Sequence, residues 1–311
     1  MDVICLGQIT ADVVVNWTRE IPDRGKSKFV KRIQLNNGGC ACNTAIDLAK
    51  IGINVGIIGK VGDDGFGDFL ISLMKSEGVK TEGVKRSPEV NTSSTVVLVD
   101  PDGERSFLHY SGANAKLRIE DIDFEIIKRA KILHLAPIGL LPSLDGKPAA
   151  EILRKGKKIG LLTSLDIAWD AKGKWLSLVK PSLKYVDIFL PNFEEAEMIS
   201  GKETSKDIAN FFLGYGIKIV GLKMGEKGCY LKTKETELKI PAFPAKAADT
   251  TGAGDGFVAG FLTGIVKGWD LKKNGIFANA VGACIVGKIG ASTGVKNFQE
   301  TIEFISNQES L

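Results

Sequence analysis

Short apolar runs that alternate with longer amphipathic stretches constrain the fold of this 311-residue chain more than any other feature. The runs are rich in Val, Ile and Leu, which is typical of strands buried on both faces of a parallel sheet. They occupy residues 2–6, 55–58, 132–135, 159–165, 188–190 and 217–222. Amphipathic stretches between them predict helices, for example at residues 44–50, 66–76 and 205–213. Strands that alternate with helices indicate an α/β fold with a mostly parallel sheet between helices.

The last third of the chain differs from the rest, because its apolar residues have the spacing of helices. The predicted helices lie at residues 255–266, 271–286 and 298–306. Small residues recur in the first of them and predict close packing against a neighbouring helix; they are Gly256, Ala259, Gly260 and Gly264. An α/β fold of this length often forms one domain, so we expect a single domain over residues 1–311.

Two pairs of segments differ from this alternation of buried strands and helices. They alternate polar and apolar residues, which is typical of half-exposed antiparallel strands. Residues 11–16 would pair with residues 29–35, and residues 93–99 with residues 105–110. The second pair is joined by a strong turn signal, Asp100-Pro101-Asp102-Gly103. We therefore predict a small sheet, built from about residues 11–36 and 93–112, that is inserted into the main domain and is available as a lid.

The charge and the cysteine content exclude several kinds of function. A net charge of +4, from 41 basic and 37 acidic residues, is too small to suggest a nucleic-acid surface. The five cysteines include no C-x-x-C pair, and with only two histidines the sequence does not predict a zinc site. No apolar run has the length of a membrane span and no segment has the pattern of a signal peptide. We therefore expect a cytoplasmic protein without a membrane partner.

The most informative motif is Asp-Thr-Thr-Gly-Ala-Gly-Asp-Gly-Phe at residues 249–257, which leads into the first C-terminal helix. Gly252, Ala253 and Gly254 would expose backbone N–H groups at the positive end of the helix dipole, which predicts a site for a phosphoryl group. Asp255 follows directly, and a carboxylate there can accept the proton of a hydroxyl group that attacks the same phosphorus. The alternative is a glycine-rich helix start in which Asp255 only complements the dipole. Because the motif does not open a βαβ unit, it is not a dinucleotide-binding fingerprint.

Two motifs together resemble the signatures of the ribokinase-like (PfkB) carbohydrate kinases. Residues 249–262 resemble the C-terminal signature, and Asn37-Gly38-Gly39-Cys40-Ala41-Cys42-Asn43-Thr44-Ala45 resembles the N-terminal one. Their spacing is that of the full-length family, so the resemblance covers essentially the whole chain. It implies a ribokinase-like fold, with three α/β/α layers, a mostly parallel central sheet and a small β-sheet lid. It also implies an enzyme that uses ATP and Mg²⁺ to phosphorylate a carbohydrate hydroxyl group.

The resemblance assigns catalytic and substrate-binding roles position by position. Asp255 corresponds to the catalytic base, and Gly252, Ala253 and Gly254 correspond to the anion hole. The residues that correspond to the sugar site are Asp12, Gly38, Gly39, Asn43 and Tyr110. A carboxylate can accept hydrogen bonds from two neighbouring hydroxyl groups, and glycines allow close backbone approach. The alternative for the glycine pair is a plain turn between a strand and a helix.

Nucleotide and metal sites are also assigned by the resemblance. The nucleotide-binding residues would be Asn192, Lys223, Gly225, Gly228 and Asn279. Glu195 would hold Mg²⁺ through water. Asn192 could instead cap the next helix, and Asn279 could simply be tolerated within its helix. Asp249 and Thr251 correspond to the monovalent-cation site of some members, and the sequence leaves open whether K⁺ binds.

The motifs do not fix which carbohydrate is the acceptor. Arg105, His109 and Tyr110 lie where kinases for fructose and sugar acids place contacts, whereas residues 111–114 are similar to ribokinase. Against ribokinase itself, Cys40 stands where that enzyme has lysine. The candidate acceptors are therefore ribose, fructose and sugar acids.

Other residues and functions stay open at this point. Asp166 and Asp170 could accept sugar hydroxyl groups or cap a helix. A nucleoside kinase of the same superfamily would need aromatic surfaces in the lid, for which Phe29 and Phe107 are candidates. A sugar-binding regulator without catalysis is a further alternative, against which the intact Asp255 argues. Because the small sheet would leave one face exposed, we also expect a homodimer that forms through the lid.

Overall fold

The computed structural model describes residues 1–16, 20, 22–100, 104–246 and 249–309. Within these ranges the strands are β1 (Val3–Gly7), β2 (Thr10–Asn16), β3 (Arg32–Gly38), β4 (Val55–Gly62), β5 (Lys80–Ser87), β6 (Ser94–Val99), β7 (Arg105–Tyr110), β8 (Ile132–Ile138), β9 (Leu162–Ile167), β10 (Ile188–Phe189), β11 (Ile219–Lys223), β12 (Cys229–Lys232) and β13 (Glu237–Ile240). The helices are α1 (Cys40–Ile51), α2 (Gly65–Ser76), α3 (Phe124–Ile127), α4 (Lys147–Lys158), α5 (Leu176–Leu183), α6 (Phe193–Ser200), α7 (Ser205–Leu213), α8 (Ala253–Val266), α9 (Leu271–Val286) and α10 (Phe298–Glu309).

Nine strands form the central sheet, in the order β13-β12-β11-β10-β9-β8-β1-β4-β5. All neighbours are parallel except at one edge, where β12 is antiparallel to both β11 and β13. The six apolar runs correspond to β1, β4, β8, β9, β10 and β11, so the predicted parallel sheet is confirmed. The run at residues 159–165 was predicted too long, because Ile159 ends α4 and the left-handed Gly160 (φ 88°) turns the chain before β9 begins.

Helices cover both faces of the central sheet, which makes three layers. One apolar core contains side chains of α1, α2, α8, α9 and α10, and the other contains side chains of α3, α4, α5, α6 and α7. Large fully buried side chains such as Phe189, Phe212 and Phe261 anchor these cores. Each contributes about 1.5–3 kcal/mol relative to an exposed side chain.

Glycines in α8 allow the close packing on α9 that the sequence predicted. A Cβ at Gly260 would lie 2.8 Å from the Ala278 Cα atom, and a Cβ at Gly256 would lie 2.1 Å from the Ile285 side chain. The first contact is with backbone and leaves no room for a side chain, and the second would force the Ile285 side chain to move. The C-terminal helices therefore form a tightly packed pair, and the N-terminal end of α8 is fixed against the rest of the molecule.

The small sheet has the strand order β3-β2-β6-β7. Strands β2 and β3 are antiparallel, β6 and β7 are antiparallel, and β2 and β6 join the two pairs in parallel. Both predicted strand pairs are therefore confirmed, although β3 begins at Arg32 rather than at residue 29. The predicted turn at Asp100-Pro101-Asp102-Gly103 involves residues 101–103, which lie outside the described residues. None of the helices in the described part of the chain has both the length and the apolar character needed to span a bilayer.

Candidate active site

The candidate site lies where the carboxyl ends of three adjacent strands meet the N-terminal end of α8. Asp166 belongs to β9, Asn192 follows β10, and Lys223 ends β11. In open α/β sheets, ligands bind at this edge of the sheet. The side chains described below converge here from the two halves of the chain.

The start of α8 requires a glycine at residue 252. Gly252 is the N-cap and has a left-handed conformation (φ 78°), and a Cβ there would lie 2.2 Å from the Ala291 carbonyl oxygen. A Cβ at Gly254 would lie 3.5 Å from the Lys223 Nζ atom. The lysine ammonium group is therefore next to the first turn of the helix, where unpaired N–H groups and the helix dipole favour an anion.

Asp255 is buried in the first turn of α8, and its Oδ2 accepts a hydrogen bond of 2.8 Å from Asn43 Nδ2. Burial raises the pKa of Asp255 to about 6, and the negative charge of Asp166 acts in the same direction. Hydrogen bonds from Asn43 and Cys40 and the positive charge of Lys223 limit this rise in pKa. The carboxyl group is thus ionised at neutral pH and still basic enough to accept a proton.

Asn43 is held in its orientation by a second amide. Asn37 Nδ2 donates to Asn43 Oδ1 at 2.8 Å and to Ser292 Oγ at 3.1 Å. Because its oxygen is engaged in this way, Asn43 must turn its amide nitrogen toward Asp255. Neither Asn37 nor the Ser292 side chain was predicted to be a site residue, although Asn37 directly precedes the predicted glycine pair.

Asp166 and Lys223 form a buried ion pair beside the start of α8. Their Oδ2 and Nζ atoms are 2.6 Å apart, and the side chains are 3% and 14% exposed. Burial alone would lower the pKa of Lys223, but Asp166 and Glu195 raise it above its ordinary value, so the ammonium group stays charged. The sequence left Asp166 as a hydroxyl acceptor or a helix cap; in the structure it pairs with Lys223 rather than capping a helix, and the role of hydroxyl acceptor stays a prediction. Asp170 is not the N-cap of α5, but it accepts from the backbone N–H groups of Lys172 and Trp175 at 2.9 and 2.7 Å in the loop before that helix.

Asn192 and Glu195 cap α6 reciprocally. Asn192 Oδ1 accepts from the Glu195 backbone N–H at 2.7 Å, and Glu195 Oε2 accepts from the Asn192 backbone N–H at 3.1 Å. The capping interpretation of Asn192 is therefore confirmed. Burial raises the pKa of Glu195 to about 7, against the opposing charge of Lys223. Burial that penalises the charge of a carboxylate makes a nearby cation favourable, and oxygen ligands suit Mg²⁺, so Glu195 fits the predicted metal role.

Gly228 and Asn279 both support the end of β13. Asn279 Nδ2 donates to the Ile240 and Pro241 carbonyl oxygens at 3.1 and 2.9 Å, and a Cβ at Gly228 would lie 2.0 Å from the Ile240 oxygen. Both residues thus have packing roles that their assignment to the nucleotide site did not anticipate. Gly225 has a left-handed backbone (φ 56°) and open space around it. The nucleotide-binding role of these residues stays a prediction.

Asp12 projects from β2 into a pocket under the small sheet, whose lining also includes Asn36, Asn37, Asp249 and Thr251. Burial raises the pKa of Asp12 to about 7, while a hydrogen bond with Thr95 opposes the rise. The neighbouring strand makes room for this carboxyl group only because residue 38 is glycine.

The glycine pair has a steric role on each side of the turn. A Cβ at Gly38 would lie 2.2 Å from Asp12 Oδ2. Gly39 has a left-handed backbone (φ 88°), and a Cβ there would lie 2.7 Å from the Gln8 carbonyl oxygen. The glycine pair forms the strand-to-helix turn that was the alternative interpretation of the sequence. Gly38 in addition leaves room for the Asp12 carboxyl group in the pocket.

Tyr110 does not lie in this pocket. The register pairs Asp12 with Thr95 and Thr95 with His109, so these three residues share one face of the small sheet. Tyr110 is the next residue along β7, and successive side chains of a strand point to opposite faces. The structure therefore brings His109, not Tyr110, to the face of Asp12, and the His109 Nδ1 atom lies 3.1 Å from Thr95 Oγ1.

Arg105 on β7 binds the two residues for which the sequence predicted a monovalent-cation site. Its guanidinium group donates to Asp249 Oδ1 at 2.5 Å and to Thr250 Oγ1 at 2.7 Å, and it contacts Thr251 Oγ1. The second Asp249 oxygen accepts from the Gly290 backbone N–H at 3.0 Å. The sequence had placed Arg105 among the sugar contacts, and nothing in the local pattern signals its contact with Asp249.

Comparisons with known proteins show to which family the chain belongs. The model of the pfkB family carbohydrate kinases matches residues 1–297. An uncharacterized sugar kinase of Archaeoglobus fulgidus is 33% identical over 249 residues, which cover 80% of this chain and 97% of that protein. Probable fructokinase-5 of Arabidopsis thaliana is 31% identical over 269 residues, which cover 82% of this chain and 83% of that protein. The structure of Arabidopsis thaliana ribokinase complexed with ribose and ATP matches with a TM-score of 0.86 and 26% identity over 98% of each chain.

The chain therefore belongs to the PfkB family of carbohydrate kinases. It is a phosphotransferase whose acceptor is a hydroxyl group, and the family and fold predicted from the two motifs are confirmed.

Proposed function

We propose that this enzyme transfers the γ-phosphoryl group of ATP to a hydroxyl group of a small sugar, with Asp255 as the general base. The observation that carries the proposal is the position of Asp255, which Asn43 holds at 2.8 Å beside the anion-binding start of α8. A general base works best when its pKa lies near the working pH, and burial raises the pKa of Asp255 to about 6.

In the proposed reaction Asp12 binds the sugar, and Asp255 takes the proton of the attacking hydroxyl group. The hydroxyl oxygen forms a bond to the γ-phosphorus while the bond from that phosphorus to the β,γ-bridging oxygen breaks, so ADP is the leaving group. Backbone N–H groups of residues 252–254 and the Lys223 ammonium group bind the charged oxygens of the transferred group. Positioning and charge stabilisation supply most of the acceleration in such a reaction.

The proposed nucleotide site comprises residues at the carboxyl edge of the sheet and on α9: Asn192, Lys223, Gly225, Gly228 and Asn279. Mg²⁺, when bound, neutralises the phosphate charge, and Glu195 is the residue that would hold it through water. In the described residues no three acidic, His or Cys side chains form a metal-binding group. Protein ligands alone would therefore not retain the ion, and we propose that it binds together with ATP.

Ribose, fructose and sugar acids are the proposed acceptor classes, because the Asp12 carboxyl group can accept from two neighbouring hydroxyl groups. A nucleoside is the second candidate, and one observation favours it. Phe107 is 57% exposed and pairs with Val97, on the same face of the small sheet as Asp12. An aromatic ring in that place could stack on a base.

We also propose that the small sheet is a lid and that two copies of the chain associate through it. The face opposite Asp12 carries apolar side chains on each of the four strands, among them Val13, Val15, Ile33, Val96, Leu98 and Leu108. Ile33 and Leu108 are 63% and 65% exposed. A second copy of the same face would remove this apolar surface from water.

An ADP-release assay tests the proposed function. Pentoses, hexoses, ketoses, sugar acids and nucleosides are supplied with ATP and Mg²⁺, and the Asp255→Asn variant is the matched control. We expect one class to support turnover and the variant to lose roughly 10²–10⁴-fold in turnover with ATP affinity retained. No ADP release with any acceptor, or a variant within about threefold of the wild type and so below the usual worth of a general base, would reject the proposal.

A further inference from the structure

The contact between Arg105 and Asp249 places a positively charged side chain, the Arg105 guanidinium group, where the sequence predicted a monovalent cation. Asp249 uses both carboxylate oxygens, one for the Arg105 guanidinium group and one for the Gly290 backbone N–H. Thr251 Oγ1 contacts the same guanidinium group. A potassium ion that used these oxygens would have to displace the arginine.

The pair has the properties of a functional contact rather than of a surface ion pair. The Arg105 and Asp249 side chains are 23% and 13% exposed, so water screens them little. Three consecutive residues, 249–251, supply the oxygen acceptors, and the planar fork of donors on arginine can reach all of them at once. A lysine carries its three donors on one nitrogen atom and lacks the planar fork that contacts these three residues.

We propose that Arg105 replaces the monovalent cation of this site, so that the enzyme works without K⁺ and its anion hole is ordered by the small sheet itself. This inference rests on the proposed kinase function. Thr251 is the residue directly before the N-cap Gly252, so a contact that fixes residues 249–251 also fixes the first turn of α8. Arg105 acts through this loop and is a positioning residue.

The arrangement also couples the position of the small sheet to the catalytic site. Arg105 is the first residue of β7, an edge strand of that sheet. The guanidinium group reaches Asp249 only when the sheet lies over the pocket, as it does in this structure. In an enzyme with a bound K⁺ ion, the ion would order the loop at residues 249–251 whether the lid is open or closed. Here the order of this loop depends on closure of the lid.

The test compares the wild type, Arg105→Ala and Arg105→Lys with a matched control, Arg32→Ala, which removes an exposed arginine from the opposite edge strand of the same sheet. Turnover and the thermal unfolding midpoint are measured in KCl and in tetramethylammonium chloride at equal ionic strength. Both quantities are also measured with millimolar guanidinium chloride added. The thermal midpoint reports ion binding without any need for a substrate.

We expect the wild type and Arg32→Ala to show the same turnover and midpoint in both salts. Arg105→Ala should lose about tenfold to a hundredfold in turnover in tetramethylammonium chloride, the usual worth of hydrogen bonds to a charged group. K⁺ or guanidinium should restore that turnover and raise the midpoint of this variant alone. Arg105→Lys should recover only part of the activity, because the ammonium group lacks the planar fork of donors with which arginine contacts residues 249–251.

Three results would overturn the inference. Activation or stabilisation of the wild type by K⁺ would show that the ion displaces Arg105. Unchanged turnover of Arg105→Ala in both salts would show that the contact has no role. Lost turnover that neither cation restores, with a midpoint that does not respond to K⁺, would assign Arg105 to substrate binding. If the wild type phosphorylates no acceptor, the proposed function fails, while the midpoints still decide the inference.

Discussion

Asn43 Nδ2 and Asp255 Oδ2 are joined by a hydrogen bond of 2.8 Å, although the two residues lie 212 positions apart in the chain. The bond connects the first turns of α1 and α8, so it links the two motifs that indicated the family. It gives Asn43 a second role beside the proposed sugar contact, because its amide group also lowers the pKa of Asp255, the proposed general base. The pH dependence of the enzyme should therefore respond to a residue outside the proposed anion hole.

The Asn43→Ala variant should shift the acid limb of the pH profile to higher pH. Asp255 must be ionised to accept a proton, so kcat of the wild type, measured at saturating sugar and ATP, should fall as the pH decreases through about 6. The Asn43 bond favours the ionised form and lowers this pKa, so its loss should raise the pKa by about one unit. Initial rates between pH 4.5 and 9 would measure the shift, and an unmoved or lowered limb would contradict the assignment of Asp255 as base.

The Asp166→Asn variant should impair turnover more than sugar binding. Removal of the carboxylate frees the Lys223 ammonium group from a 2.6 Å ion pair, so the ammonium group is no longer directed at the start of α8. Loss of one partner of a buried pair typically costs about 3–5 kcal/mol of stability, so the unfolding midpoint must be recorded beside the kinetics. We expect a lower kcat, a changed KM for ATP, an unchanged sugar KM and an acid limb at lower pH, because Asp166 raises the pKa of Asp255.

The Asp170→Asn variant is the matched control for Asp166→Asn, since Asp170 lies in the loop that follows β9 and binds only backbone N–H groups of that loop. It should alter stability without moving the acid limb. An Asp166→Asn variant with wild-type kcat and pH profile would show that the ion pair serves folding alone.

The Gly38→Ala variant should have the same defect as Asp12→Ala. A Cβ at residue 38 would lie 2.2 Å from Asp12 Oδ2, so the carboxyl group must leave its place. Hydrogen bonds to a charged group contribute about 1.5–3 kcal/mol each, so the sugar KM should rise at least tenfold in both variants. The ATP affinity measured without sugar should not change.

The double variant Gly38→Ala/Asp12→Ala provides the sharper test, because it should be no worse than either single change. Gly65→Ala is the control, since a Cβ there meets open space at the start of α2. Additive losses in the double variant, or an unchanged sugar KM in Asp12→Ala, would show that Asp12 does not bind the acceptor.

A lysine at Leu108 should convert the proposed dimer into a monomer. Leu108 is 65% exposed on the apolar face of the small sheet, opposite the face of Asp12. A charge buried without a partner in an interface is strongly unfavourable. Light scattering at micromolar concentration should give twice the chain mass for the wild type and for the control Ile159→Lys, and the chain mass for Leu108→Lys. A monomeric wild type would reject the dimer.

The sequence predicts best those parts of the site that depend on local backbone requirements. Gly252 and Gly39 are fixed by left-handed conformations, and Asp255 by its place in the first turn of a helix, all of which are readable from neighbouring residues. Strands with continuous apolar runs could also be predicted from the sequence. The edge strand β5, with the sequence Lys-Thr-Glu-Gly-Val-Lys-Arg-Ser, was missed because it is largely polar.

Long-range side-chain contacts could not be predicted in the same way. Tyr110 and His109 differ by one residue in a strand, and only the register decides which of them shares a face with Asp12. Asp166 is a single acid in an apolar strand, and its partner Lys223 lies two strands away. The contact of Arg105 with Asp249 depends on how the small sheet is placed over the central one, which no local pattern records.

The parallel pairing of β2 with β6 has a consequence for the order in which the chain folds. Each strand belongs to a different hairpin, and the register that sets Asp12 beside Thr95 closes a long loop through α1, β4, α2 and β5. Contacts of such high sequence separation are entropically costly until the intervening elements are in place. We expect the acceptor half of the site to assemble last during folding and to open first in mild denaturant, so that amide protons of β2 and β6 exchange before those of β9 to β11.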